Sequence, residues 1–223
     1  MMPTPVRLFH ITAIDNLAAI CRQGALVSKN ALCAKRLAYQ NIAHLGAQTT
    51  RSVKPVPNPP GGSVHDYVPF YFAPRSPMLS ALHNGNVAGC LYKQDDILHF
   101  ETTVERATAS NSAFVFYDRN ATKPYSLAFT DLAELATQVA WDLLTEAPRL
   151  DGFCKYFFDN PTAEKYLGRM ERRQAEFLLK HRVHLSVMTR IGVANKVKAD
   201  VVRNILAETG VALSVEVKTD WYF

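Results

Sequence analysis

The sequence predicts an α+β fold built on a mainly antiparallel sheet, and three observations carry that expectation. Short runs rich in apolar, β-branched and aromatic residues, such as VRLFHI at Val6–Ile11, YVPFYFA at Tyr67–Ala73 and AEFLLK at Ala175–Lys180, read as strands. Stretches with helical periodicity end at glycines, as at Gly24 and Gly210. The two kinds of segment do not alternate in the strict order a parallel sheet needs, and no internal repeat is present. With 223 residues and 48% hydrophobic content, the chain can bury one sizeable core, so one domain over 1–223 is expected.

Taken in order, the first strand (Val6–Ile11) leads into a helix from about Ile14 to Gln23 that stops at Gly24, with Asp15 in its first turn where negative charge is favoured. A second helix is predicted from about Ala31 to Leu45, stopped by Gly46 and presenting Lys35 and Arg36 to solvent. Thr49–Asp66 (TTRSVKPVPNPPGGSVHD) holds four prolines and two glycines and reads as a long loop. Tyr67–Ala73 is a strand whose Pro69 implies an edge or a bulge, and Pro74–Pro77 turns the chain into a helix ending near Gly85. Strands follow at Ile97–Glu101 and Ala113–Tyr117, then a helix at about Asp131–Leu144. Asp151–Tyr166 is aromatic without clean periodicity and receives no assignment. The strand Ala175–Lys180, a helix at about Asn195–Glu208 stopped by Gly210, and a last strand Ala212–Lys218 complete the chain.

Charge is unevenly placed. Residues 1–60 hold seven Lys/Arg against the single acid Asp15, while the remaining residues carry eighteen basic and nineteen acidic side chains. A basic quarter of this kind suits a polyanion as well as plain solvation. The four cysteines (Cys21, Cys33, Cys90, Cys154) lack metal or disulfide spacing and read as buried free thiols, with no metal expected. No run reaches the ~18 to 20 apolar residues of a membrane span, and no leader pattern opens the chain. A cytoplasmic protein with no membrane partner is therefore expected.

Common nucleotide-binding and hydrolase signatures are missing: G-x-x-x-x-G-K-[ST], G-x-G-x-x-G, H-E-x-x-H and a G-x-S-x-G elbow do not occur. What remains is a set of polar residues in strands and loops. His10 and Thr12 end the first strand, and also fit a core histidine and a helix-starting threonine. Arg51 in its proline-rich stretch also fits a surface arginine. Glu176 interrupts the apolar run AEFLL, where a carboxylate either faces solvent or is retained for its charge.

These residues occur in ordered blocks. HIT at 10–12 with IDNL at 14–17, PGG at 60–62 with HDYVPFYFAPRSPML at 65–79, FVF at 114–116 with Asp118-Arg119, RQAEFL at 173–178 and the closing DWYF run from residue 8 to the end. In this the chain resembles the DarT family of DNA ADP-ribosyltransferase toxins. The resemblance implies an ADP-ribosyltransferase fold, in which two small, mainly antiparallel sheets with flanking helices form a cleft for NAD. It further implies a cytoplasmic toxin of a toxin–antitoxin or phage-defence system, acting on single-stranded DNA and opposed by a macrodomain (DarG-like) antitoxin. By position, His10, Thr12 and Asn16 match NAD contacts, Tyr71 lies in the strand flanking the nicotinamide, Arg51 matches an arginine working at the modified base, and Glu176 matches the catalytic glutamate. Asn120 departs from relatives that carry His after Asp-Arg, and 151–171 matches no family block.

That chemistry suits the residues. Cleaving nicotinamide from NAD leaves positive charge on the ribose, which a fixed carboxylate stabilises, and a base nitrogen needs its proton withdrawn before it attacks. Base edges are reached in single strands, where Lys35, Arg36, Lys54 and Arg75 are the candidate phosphate contacts and exposed members of Tyr39, Tyr67 and Tyr71 the candidate stacking rings. Thymine is the expected base, with guanine as the alternative. An NAD glycohydrolase, a transferase acting on RNA or protein, and a non-catalytic nucleic-acid binder are the competing classes; the intact Glu176 argues against the last.

Overall fold

The computed structural model describes residues 1–223. Its strands, in chain order, are β1 (Arg7–Ala13), β2 (Ala25–Val27), β3 (Tyr67–Tyr71), β4 (Ile97–Thr103), β5 (Phe114–Tyr117), β6 (Ala128–Phe129), β7 (Arg149–Leu150), β8 (Phe153–Cys154), β9 (Glu176–Lys180), β10 (Arg182–His184), β11 (Arg190–Val193) and β12 (Val215–Val217). The helices are α1 (Leu17–Gln23), α2 (Lys29–Ala34), α3 (Leu45–Val53), α4 (Pro77–His83), α5 (Val104–Ser110), α6 (Leu135–Gln138), α7 (Trp141–Thr145), α8 (Arg169–Arg172) and α9 (Lys196–Thr209). No helix is long and apolar enough to cross a membrane.

Eight strands line up in the order β12-β11-β4-β1-β3-β9-β5-β6, antiparallel except for the β11–β12 pair. The sheet is two halves. β1 pairs with β4 along its whole length, and β3 with β9 along its whole length, but β1 meets β3 only where Phe9 faces Tyr71. The two halves, joined at this one pair in a single eight-stranded sheet, form the cleft architecture expected of the fold. Pro69 helps to make the seam: it has no N–H to give β1, and its carbonyl accepts instead from His10 Nδ1 at 2.8 Å. The edge character expected of Pro69 is thus realised at the cleft rather than at an outer edge.

Sequence-legible stops behave as expected. Gly24 ends α1 at φ 63° and Gly210 ends α9 at φ 69°, while the Asn195 side chain accepts from Lys198 N at 3.0 Å to start α9. Gly192 serves another purpose, since Trp221's ring occupies the space a Cβ there would fill. Trp221 is fully buried and closes the core formed by Phe9, Phe100 and Ile191.

Four expectations need correction. The single helix at 31–45 is instead α2 and α3 separated by irregular chain, because the Gln40 backbone bonds to the Asn16 side chain (2.8 and 3.0 Å) rather than to a helix, and Gly46 lies inside α3. The loop expected from Thr49 begins only after Val53, so Arg51 sits on the last turn of a helix. The helix at 131–144 is broken at Val139–Ala140, where Trp141 turns inward, donates to Leu135 O at 2.7 Å and packs edge-on to Phe72. The unassigned 151–166 stretch contributes the turn and second strand of the β7–β8 hairpin. Of the cysteines, all free, Cys21 and Cys154 are buried, but Cys90 is only partly so and Cys33 is exposed, correcting the expectation for those two.

Candidate active site

Glu176 opens β9, and the alternation of that strand decides where it points. Phe177 and Leu179 enter the main core, whereas Leu178 belongs to a smaller cluster with Tyr67, Val115 and Tyr117 on the opposite face. Glu176 shares the Leu178 face. Its register partners are Tyr71 on β3 and Tyr117 on β5, so a tyrosine–glutamate–tyrosine row crosses three strands beside the seam.

Glu176 is fully buried, and Arg51 reaches it from the end of α3: Nη1 donates to both carboxylate oxygens, at 3.1 and 2.9 Å. The two residues stand 125 positions apart in the chain. Burial is the largest single influence and works to lower the guanidinium's pKa, but the charge and hydrogen bond of Glu176, with Tyr71 and Tyr117, together outweigh it and hold Arg51 above its ordinary value. Burial, reinforced by the same carboxylate, pushes the Tyr71 phenol well up and Tyr117 up to about 12, so both remain protonated donors at neutral pH. Arg51 Nη2 and Tyr117 Oη are buried and have no hydrogen-bond partner.

The pair forms part of the wall of a cavity of about 520 Å³, a size typical of small-molecule sites. His10, Asn16 and Tyr71 line it too, together with apolar side chains that include Leu32, Ile42 and Met78. Thr12 lies one layer behind, fully buried, its hydroxyl accepting from Asn16 Nδ2 at 3.0 Å. Thus five of the six residues singled out for catalysis or NAD contact reach one cavity, and the sixth supports it. The unpartnered guanidinium nitrogen and the mixed polar and apolar wall fit a nucleotide carrying carbonyl and hydroxyl groups.

The predicted DNA contacts are not brought together in the same way. Lys35 and Arg36 are exposed on the turn after α2. Lys54 instead donates to Lys123 O at 2.7 Å with its ammonium 5.3 Å from the Tyr117 ring, and Arg75 donates to Lys155 O at 3.1 Å over the ring of Phe223. Tyr67 is buried with its hydroxyl on Gly61 O at 2.7 Å, which removes it as a stacking ring; Tyr71 is nearly as buried. That contact is part of how the Pro/Gly loop is held, and at Gly62 (φ 93°) a Cβ would lie 2.7 Å from the Asp66 carboxylate, so the glycine is required.

Gln48, His65 and Thr122 also line the cavity and escaped sequence reasoning, as does Asn120, noted there only as a departure from its relatives. Gln48 carries no chemical signature, but its Oε1 lies 2.8 Å from His65 Nε2 and ties α3 to the chain entering β3. Asn120, in place of a histidine, turns its Oδ1 toward Thr122, accepting from N and Oγ1 at 2.9 and 2.8 Å. The β5–β9 register could have flagged Tyr117, had the pairing been known.

The pKa values of His10 at the wall and of His99, fully buried between β-strands, are both depressed to about 4, chiefly by burial. Burial keeps His10 neutral, and the Pro69 carbonyl, an acceptor, fixes its one proton on Nδ1. The unfolded chain binds protons at both sites below its ordinary value near 6.5 and the folded chain does not until about 4. Stability contributed by the neutral rings is thus complete above about 6.5 and lost progressively as pH falls through that window. The thermal midpoint is expected to drop over this interval; a flat profile would show that these histidines titrate normally.

Comparison with known proteins agrees with the geometry. The family model described as "DarT: ssDNA thymidine ADP-ribosyltransferase" matches residues 9–223. A DNA ADP-ribosyl transferase of Thermus sp. (strain 2.9) is 34% identical over 225 residues, covering 99% of this chain and 98% of that protein. The solved structure of Thermus sp. 2.9 DarT in complex with ADP-ribosylated ssDNA matches at a TM-score of 0.86 with 33% identity, covering 100% of this chain and 99% of that one. The Thermus sp. 2.9 DarT complex with NAD+ matches at 0.82 with 32% identity and full coverage of both chains. With the family's pattern running from residue 9 to the last residue and this identity held along the whole length, the chain belongs to the DarT family of ssDNA thymidine ADP-ribosyltransferases.

Proposed function

We propose that this chain transfers ADP-ribose from NAD to a thymine base in single-stranded DNA, with Glu176 and Arg51 at the reacting centre. The observation that carries the reading is the buried Arg51–Glu176 pair on the wall of the cavity at the seam between the two sheet halves. NAD supplies an activated glycosidic bond whose cleavage leaves positive charge on the ribose. Glu176 stabilises that charge from a fixed, water-poor position. A thymine joined to its sugar has one ring N–H, at N3, and Glu176 accepts that proton as N3 bonds to the ribose carbon and nicotinamide leaves with the electrons of its old bond. Arg51 holds the base through its second nitrogen and compensates the carboxylate. His10 and Asn16, with Thr12 behind and Tyr71 beside them, contact and orient NAD.

The same reading takes residues 1–223 as a single cytoplasmic domain, a toxin whose partner is a macrodomain antitoxin. Lys35 and Arg36 are the exposed cations of the basic N-terminal quarter that meet phosphates. Transfer from labelled NAD is therefore expected to be strong on single strands, weak on duplexes, absent on RNA and protein, and to fall as salt rises, because phosphate contacts release counterions. Equal labelling of duplex and single strand across a salt titration would overturn the substrate assignment, and labelling of protein or RNA alone would replace it.

A further inference from the structure

Buried polar atoms without partners are rare in folded proteins, and each calls for a reason. Two of them fall together here: Arg51 Nη2 and Tyr117 Oη. Tyr117 is 1% exposed, faces Glu176 across the β5–β9 ladder, and lies on the same side of the sheet as Glu176 and Leu178. It does not itself line the cavity but is the β5 register partner of Glu176, which does, with the Lys54 ammonium 5.3 Å from its ring. Packing explains the ring, which belongs to the small cluster with Val56, Val115 and Leu178. It does not explain the hydroxyl, for which phenylalanine would serve as well.

We infer that Tyr117 is a specificity-determining residue for the acceptor base, donating its hydroxyl to one of the two carbonyls that flank the reacting ring nitrogen. This rests on the reading of the site given above. The Watson–Crick edge of thymine runs acceptor, donor, acceptor: a carbonyl, N3–H, a carbonyl. Arg51 Nη2–H, the Glu176 carboxylate and the Tyr117 O–H supply donor, acceptor, donor. Cytosine would set a lone pair at N3 against the carboxylate and an amino group against a donor, and a buried polar site rejects a mismatched edge far more strongly than an apolar pocket does. The thymine methyl group lies off this edge, so a deoxyuridine placed in a DNA strand is expected to be accepted as well.

The test uses the whole chain, wild type and Tyr117→Phe, with single strands bearing one target thymine, 2-thiothymine or 4-thiothymine, sulfur being a poor acceptor. Tyr117→Phe is expected to keep or raise the thermal midpoint, since its hydroxyl bonds nothing in the protein, and to lose about tenfold in kcat/KM on the thymine strand, the scale of one neutral hydrogen bond. Both thio strands should be poorer substrates for the wild type. For Tyr117→Phe one of the two penalties should vanish, because the bond it reports is already gone, while the other, facing Arg51, persists. Wild-type kcat/KM in the variant, or both penalties undiminished, would overturn the assignment, as would a lowered midpoint, which would mark the hydroxyl as structural. A wild type that modifies no thymine strand would sink the parent reading instead.

Discussion

Glu176→Gln is expected to abolish transfer to a thymine-containing strand. The carboxylate is fully buried, Arg51 is the cation in contact with it, and the proposed mechanism gives it two tasks that an amide cannot perform: stabilising charge on the ribose and accepting the N3 proton. Loss of a charge contact made in the transition state costs ~3 kcal/mol or more, roughly a hundredfold in rate, and the lost proton acceptor adds to it. The amide oxygen still accepts from Arg51 Nη1, so the fold should persist with a moderately lowered midpoint, while NAD affinity, which the proposed site assigns to His10, Asn16 and the apolar wall, should change little. Rate measurements at saturating NAD and DNA decide the matter: turnover within a few-fold of wild type would remove Glu176 from the chemistry.

Arg51 offers the second large effect, and the structure dictates which substitution reads it. Arg51→Ala leaves the Glu176 carboxylate, 1% exposed in its side chain, without its cation. Breaking a buried pair from one side costs about 3–5 kcal/mol, so lost activity in that variant mixes chemistry with folding. Arg51→Lys separates them. Both bonds to Glu176 come from a single nitrogen, Nη1, and an ammonium can replace that nitrogen; it has no counterpart for Nη2, the donor left for the base. The lysine variant should therefore fold with near-native stability yet turn over at least tenfold more slowly at saturating NAD and DNA, the mark of an interaction made in the transition state. A lysine variant with full kcat would confine Arg51 to charge compensation, and a raised KM for DNA alone would make it a phosphate contact.

How much of this was legible beforehand varies with the range of the interaction. β1, β3 and β9 could be read because their apolar residues form compact β-rich runs, and α1 and α9 because Gly24 and Gly210 supply positive φ at their ends. Short strands such as β2, β6 and β10 carry too few residues to show a period and exist only because a neighbour offers hydrogen bonds. The 31–45 and 131–144 helices failed for the converse reason. Asn16, 24 residues earlier in the chain, claims the backbone of Gln40, and burial of Trp141 against Phe72 overrides local helix propensity. Lys54 and Arg75 read as free cations because charge is visible in a sequence, whereas the carbonyls of Lys123 and Lys155 that hold them are not.

The sequence by itself determined the class of fold and the family, and it singled out the residues proposed for the reacting centre, since ordered blocks of unusual residues survive in one dimension. It did not determine that Arg51 ends a helix, that its one nitrogen binds Glu176 while the other stays unpaired, or that Tyr117 stands opposite that carboxylate. Those facts belong to the tertiary structure alone. A strand's period fixes which face a side chain takes, but only pairing between β3, β9 and β5, closed over long loops and capped by α3, decides which side chains share that face and which buried donors are left to meet a substrate.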